Sequence, residues 1–382
     1  MNYLILTDCF YPENKSASRH ICDLASELIK KNNISIICPS YKKKYHLEKK
    51  FNIIRVRSSN LKNKNLILRG FAELILPFQY LIKIYKINKN IDKIIVYSPS
   101  IFFGLIFKLL KKKFNSKIIL LLRDVFPDWA KQIGIFKQYS LFYFFLKFIA
   151  RFQYEHSDVI CLQSKKDFFL IKKFYKFKAK RILLYNWLKS KGNKTIIKKK
   201  LKKIKKFVFA GTMGPAQNWE NIIYAINEVG KIDQNIKFYF IGNGILEKYL
   251  KKSLIDNRNV IFKNSLRQEK FLNFIKSCDA GILSLNKKIL FDNFPGKFFS
   301  YIEANLPVVA DISRNHELFQ IIKKYNLGYC NDPSEPNQIV ENILHLSNKI
   351  NINYKKKIKN SYDKLLTKQF SSEIAANKII NI

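Results

Sequence analysis

Carboxylates are scarce in this chain. Asp and Glu number 28 against 70 Lys and Arg over 382 residues, leaving a formal net charge of +42. A surface so short of negative charge is drawn to anions. Three explanations compete: nucleic acid, an anionic membrane leaflet, or a compositional bias that fills surface positions with lysine. Glycine (12) and proline (10) are also few, while Lys, Ile, Asn and Phe abound. Roughly half of the excess is therefore assigned to that bias, charge runs being ordinarily solvated faces. Nucleic acid is set aside as a partner because zinc-ligand, helix-turn-helix and aromatic-ribbon signatures are all missing.

The cysteines Cys9, Cys22, Cys38, Cys161, Cys278 and Cys330 are scattered. With no CxxC pair and no Cys/His cluster at ligand spacing, they exclude a zinc module and a disulfide framework, and they suit buried thiols in a reducing compartment. No apolar run approaches the ~18 to 20 residues that span a bilayer. The opening MNYLILTDCF runs straight into a strand pattern, without a basic flank and a long apolar core. No secretory signal is expected, and a cytoplasmic location is. The absence of a short repeat removes solenoids and propellers.

What is present is apolar material for two cores. Hydrophobic residues make up 47% and aromatics 14%, and this length is comfortable as two α/β domains. Runs rich in Ile, Val and Phe recur at Tyr3 to Leu6, Ile34 to Cys38, Ile53 to Val56, Ile94 to Tyr97, Ile118 to Leu122, Val159 to Leu162 and Ile182 to Leu184. A second series follows at Phe207 to Ala210, Phe238 to Ile241, Val260 to Phe262, Ala280 to Leu283, Val308 to Ala310 and Gly328 to Cys330. Near-continuous apolar strands alternating with amphipathic helices mark parallel sheets covered on both faces. The spacing predicts a doubly wound domain over 1–188, a basic linker over 189–206, a second doubly wound domain over 207–364 and a helical tail over 365–382, placed to pack back on the first domain.

Three greasy, basic stretches lie in the first domain: Phe71 to Ile87, Ile101 to Phe114 and Ser140 to Phe152. Each suits a helix lying in a headgroup layer, but the preferred reading of any one alone is a core-facing helix.

Ligands of doubly wound sheets bind beyond the carboxyl ends of the strands. There the second domain reads FVFAGTMGPAQNWENIIYAI, a strand followed by Gly211, Thr212, Gly214 and Asn218 before a helix. Such a turn offers backbone N–H groups and the positive helix end to a phosphate. A second turn places Gly242 and Gly244 after the next strand. Neither completes the dinucleotide fingerprint, so a nucleotide with one diphosphate is preferred over NAD. In FDNFPGKFFSYIEANLPVVA, Asp292 and Lys297 flank a turn with Pro295 and Gly296 that opens a helix. A lysine at a helix N-terminus is mismatched with the dipole unless an anion sits there, which makes Lys297 a diphosphate candidate. In the first domain RDVFPDW sets Arg123, Asp124 and Asp128 at the end of a core strand. A carboxylate there is placed to orient an acceptor hydroxyl, or else caps the following turn.

These stretches, with YPENKSASRHICDLASEL, HSDVICLQS, LLYNW and HELFQIIKKYNLGYCNDP, run in order along nearly the whole chain. The set resembles glycosyltransferase family 4, and within it the branch of bacterial N-acetyl-fucosaminyl transferases of O-antigen and capsule assembly. The resemblance implies the GT-B fold, two Rossmann-like domains facing a central cleft, and transfer with retention, needing no cofactor and no bound metal. In keeping, no Asp-X-Asp pair follows a strand. It implies a donor site of Gly211, Thr212, Gly214, Asn218, Gly242, Gly244, Arg267, Asp292, Pro295, Gly296, Lys297 and Ser300. It implies an acceptor side with Tyr11, Ser16 and Asn186, and catalytic roles for Arg123, Asp124, Asp128 and Lys297. The family's two glutamates around the last core helix fall on Asp292 and Ser300, so one carboxylate is kept and one lost, Glu303 lying nearly a turn further on. The implied partners are a nucleotide-sugar, the UDP form in this branch, a polyprenyl-diphosphate-linked saccharide, and an anionic membrane to which the protein is peripheral. Two alternatives stay open: a nucleotide-sugar epimerase of the same architecture, and a non-catalytic glycosyltransferase-like partner.

Overall fold

A computed structural model describes residues 1–13, 16–40, 50–58, 66–98, 100–137, 140–189 and 204–382. Two compact units emerge, Met1–Lys189 together with Phe370–Ile382, and Ser190–Gln369. Most of the expected linker, 190–203, lies outside the described residues, as do Asn14 and Lys15 of the first loop.

The first unit runs β1 (Asn2–Thr7), α1 (Ser16–Leu28), β2 (Asn33–Pro39), β3 (Asn52–Val56), α2 (Leu66–Tyr85), β4 (Lys93–Ser98), a 3-10 helix (Ile101–Ile106), α3 (Phe107–Phe114), β5 (Lys117–Leu122), α4 (Asp128–Gln132), α5 (Leu141–Glu155), β6 (Val159–Leu162), α6 (Lys165–Phe174) and β7 (Lys180–Leu183). Its seven strands are ordered β3-β2-β1-β4-β5-β6-β7 and pair in parallel. Strands such as KIILLL of β5 are buried from the second residue onward, as a sheet covered on both faces requires.

The second unit runs β8 (Lys205–Ala210), α7 (Trp219–Ile232), β9 (Ile236–Ile241), α8 (Glu247–Ser253), β10 (Val260–Lys263), α9 (Gln268–Lys276), β11 (Ala280–Ser284), α10 (Gly296–Ala304), β12 (Val308–Asp311), α11 (Glu317–Lys324), β13 (Gly328–Asn331), α12 (Pro336–Lys349) and α13 (Ile352–Leu365). Its six strands are ordered β10-β9-β8-β11-β12-β13, again parallel. The strand order reverses between β1 and β4 in one unit and between β8 and β11 in the other. Doubly wound sheets bind ligands at such switch points.

Two boundaries differ from expectation. The linker was read through residue 206, but Lys205 and Lys206 already pair with Ile236 and Lys237 of β9, because a strand entering a sheet needs backbone partners before it needs apolar side chains. The second unit runs on to Gln369; a π-helical turn (Leu366–Phe370) leads to α14 (Ser372–Ile380). In the first unit α14 packs on α1, and the Nζ groups of Lys93 and Lys117 donate to the carbonyls of Ile380 at 2.8 Å and Ile382 at 2.9 Å. Lysines thus satisfy carbonyls left over at a helix C-terminus.

Candidate active site

In the second unit the loop after β8 and the start of α10 meet. Lys297 is half-buried. Its Nζ lies 3.7 Å from the centroid of the Phe209 ring, and its Cε is 3.8 Å from where a Cβ on Gly211 would stand. Among the described residues no carboxylate pairs with it, and burial pushes its pKa down to about 7. The aromatic face offsets part of the desolvation, yet the ammonium also sits at the N-terminus of α10, where the dipole disfavours it. Pro295 is the N-cap of that helix without a side-chain cap bond, and Gly296 is its first residue. A cation held this way, in front of the backbone at Gly211, has the charge to pair with an anion.

Gly242 and Gly244 lie where two loops are packed closely together. The loops after β8 and β9 are joined backbone to backbone: Gly211 N–H donates to Ile241 O at 2.8 Å and Met213 N–H to Asn243 O at 2.9 Å. A Cβ on Gly244 would stand 2.0 Å from Met213 O. Without side chains here, the loops after β8 and β9 can approach this closely. Thr212 is exposed, and Gly214 accepts from Trp219 Nε1 at 2.7 Å. Asn218 spends its amide on Asp311 at 3.0 Å, where Asn221 and Asn331 also donate, at 3.2 and 2.6 Å. Burial raises the Asp311 carboxyl to about 6 against those amides.

Asp292 is fully buried. Its Oδ2 accepts from the Glu317 N–H at 2.7 Å, at the start of α11, and His316 Nε2 lies 3.9 Å from its Oδ1. The carboxylate supports the N-terminus of α11. Ser300 is half-buried, one turn along α10, with Oγ 3.5 Å from Gly296 O. Arg267 is exposed after the edge strand β10, two strands from β8.

In the first unit Arg123 lies at the end of β5 with its guanidinium 5.4 Å from the Tyr97 ring and 4.6 Å from the Trp187 ring. Only 6% of it is exposed, so its guanidinium is held among these rings rather than in solvent. Its carbonyl accepts from Gln163 Nε2, and Gln163 Oε1 accepts from Asn186 at 3.2 Å. Nearby His20 is held down at about 3 by burial and then by Arg123, and so stays neutral. Asp124 is half-buried; burial raises its carboxyl and Arg123 opposes the rise. Tyr11 lies on the loop after β1 and Ser16 opens α1 behind it, β1 being two strands from β5; the Tyr11 carbonyl accepts from Arg55 Nη2 at 2.8 Å, and Ser16 is exposed.

Asp128 is 2% exposed and accepts from Tyr143 at 2.9 Å, Lys147 at 3.2 Å and Tyr175. A carboxylate so engaged ties α4 to α5 and to the residue after α6, and is not open to substrate. Asp128→Ala strands the buried partners and is expected to cost about 3–5 kcal/mol in a denaturant titration. Asp124→Asn, in contrast, is expected to lower turnover at unchanged stability. Equal stability of Asp128→Ala and the parent would reject this assignment.

Sequence reasoning missed Phe209, Asp311, Gln163 and His316. Asp311 ends an apolar strand, a signal that was present; the others carry no local sign of their partners.

Residues 204–349 match the family described as Glycosyl transferases group 1. Over 287 residues, 72% of this chain and 71% of the relative, the sequence is 25% identical to the probable glycosyltransferase WbjE of Pseudomonas aeruginosa. The fold is similar to WaaG, a glycosyltransferase involved in lipopolysaccharide biosynthesis, with TM-score 0.65 and 14% identity over 99% of both chains. It is also similar to HepE of Anabaena, solved with UDP and glucose, with TM-score 0.64 and 12% identity over 100% of this chain and 98% of that one. The chain is a glycosyltransferase of GT-B type, two parallel-sheet α/β units.

Proposed function

We propose that the chain moves a sugar, with retention, from a UDP-sugar to a polyprenyl-diphosphate-linked saccharide in surface polysaccharide assembly of the O-antigen or capsule kind. The N-acetyl-fucosaminyl transferase branch is the resemblance behind this choice, and the inner face of the cell membrane is the place of work. The observation that carries the reading is Lys297, a cation without a carboxylate partner among the described residues, held over Phe209 in front of Gly211 at the sheet's switch point. The similar fold of HepE, solved with UDP and glucose, supports a nucleotide-sugar there.

In the reaction the bond from the anomeric carbon to the diphosphate breaks, the acceptor oxygen bonds that carbon, and the hydroxyl proton passes to the departing phosphate oxygen. Lys297 and the N–H groups of the Gly211 loop stabilise the charge that develops on the diphosphate. Asp124, at the end of β5, orients the acceptor hydroxyl.

A thermal-shift series with UDP, GDP and dTDP sugars tests the donor. At 100 times its dissociation constant a ligand stabilises by about 2.7 kcal/mol, and the UDP compound is expected to give the largest rise. No rise with any of the three would refute the reading.

A further inference from the structure

The carboxyl ends of β11, β12 and β13 meet at one buried side chain. Asp311 closes β12, in register with Ser284 of β11 and Asn331 of β13, and is fully buried. Its Oδ2 accepts from Asn218 Nδ2 at 3.0 Å, and its Oδ1 from Asn221 Nδ2 at 3.2 Å and Asn331 Nδ2 at 2.6 Å. Among the described residues no cation pairs with it. A carboxylate buried among neutral amides keeps its charge only through those hydrogen bonds.

Two of the three amides come from the segment that follows β8. Asn218 is the N-cap of α7 and Asn221 lies in its first turn. The loop before them is fastened on the same side: Ser284 Oγ accepts from the Asn218 N–H at 2.9 Å and donates to the Asn218 carbonyl at 3.2 Å, and the Asn286 N–H donates to Ala216 O at 2.9 Å. The other end of this loop is Gly211, the residue beside Lys297.

We propose, resting on the donor reading of Lys297, that Asp311 is a positioning residue: its carboxylate gathers Asn218, Asn221 and Asn331 and so fixes the loop whose first residue stands beside Lys297. Asp311 touches no substrate and acts through the loop. When it takes up a proton, one acceptor becomes a donor facing an amide N–H, and the gathering is weakened. Burial raises the carboxyl to about 6, the three amides opposing the rise and Asp332 adding to it. Asp332, which follows β13, accepts from the Arg314 N–H at 2.9 Å, and Arg314 pairs with Glu335. Because the folded value lies above the ordinary 3.8, the stability that Asp311 contributes is fully present below 3.8 and is lost as pH rises through 6. Acid therefore favours the fold through this residue while it loosens the loop. A residue that only held the fold would leave donor affinity unmoved over that range.

Calorimetry of the full chain between pH 5 and 7 decides it, with whichever UDP-, GDP- or dTDP-sugar raises its melting temperature most. The parent is expected to lose about tenfold in affinity from pH 7 to pH 5, and to release protons on binding near pH 6. Asp311→Asn, the neutral isostere of the protonated acid, is expected to bind about tenfold more weakly than the parent at pH 7 and to be flat down to pH 5. Asn221→Ala removes one amide that holds the ionised form, so its loss of affinity should begin about one pH unit higher; this arm serves even where Asp311→Asn does not fold. A parent flat from pH 5 to 7, an acid loss kept by Asp311→Asn, or one left in place by Asn221→Ala would each overturn the role of Asp311 and leave the donor reading standing. No binding of any of the three nucleotide-sugars by the parent at any pH would remove the donor reading, and the role of Asp311 with it.

Discussion

Lys297→Met is expected to abolish the UDP-sugar thermal shift and to lower kcat/KM by about 10²- to 10³-fold, the scale for losing one group that stabilises charge in the transition state. Methionine keeps the contact with Phe209 and drops only the charge. The free protein should gain stability at the same time. With a pKa of about 7 in place of 10.5, the folded state binds fewer protons than the unfolded state between those values, so the cost of the buried ammonium is present in full below pH 7. It is relieved as pH rises towards 10.5. The gain from methionine should therefore be largest at and below neutrality and fade in alkali. Donor affinity follows the same group with the opposite consequence: a diphosphate needs the charged lysine, so affinity should fall as pH rises through 7, by up to about tenfold per unit. Calorimetry with a UDP-sugar, whose diphosphate does not titrate in this range, should record proton uptake above pH 7. Flat affinity between about pH 6 and 9 would remove Lys297 from the diphosphate.

Gly242→Ala is expected to be strongly destabilising for the second unit. Gly242 has φ of 141°, a conformation that an L side chain resists. A Cβ there would stand 2.1 Å from Gly211 O and 2.8 Å from Gly211 C. Those atoms are backbone of the loop that fronts Lys297, so relief means moving the site. A loss of more than about 3 kcal/mol is expected, with donor binding lost as well. Gly70→Ala serves as the contrast. It lies within α2 with nothing near the new methyl, and alanine there should stabilise by up to about 1 kcal/mol. Unfolding free energies of the two variants falling within about 1 kcal/mol of one another, from denaturant titrations, would defeat the expectation.

The strands and the glycine turns that follow them were legible because both signals are local. An apolar run such as IILLL needs no distant partner to be read as a buried strand, and a glycine turn before a helix declares itself within a few residues. Lys297 was legible for the same reason, as a cation at the wrong end of a helix. The roles of individual candidates were not. Asn218 and Asp292 carry the right chemistry for a donor, but one is taken up by Asp311 and the other by the Glu317 N–H. Asp128 reads like a cleft carboxylate until Tyr175 and Lys147 arrive from other helices.

The sequence by itself determined two parallel-sheet α/β units, since hydrophobic periodicity is set by neighbours along the chain. Tertiary structure alone decided which polar groups remain available for chemistry. Each buried donor or acceptor takes whatever partner the fold delivers, and those partners, Phe209 for Lys297 and Asp311 for Asn218, come from strands far away in sequence. It also decided which greasy helices face water, because burial of one face depends on what packs there. The 3-10 helix Ile101–Ile106 covers only the inner sides of α2 and α5.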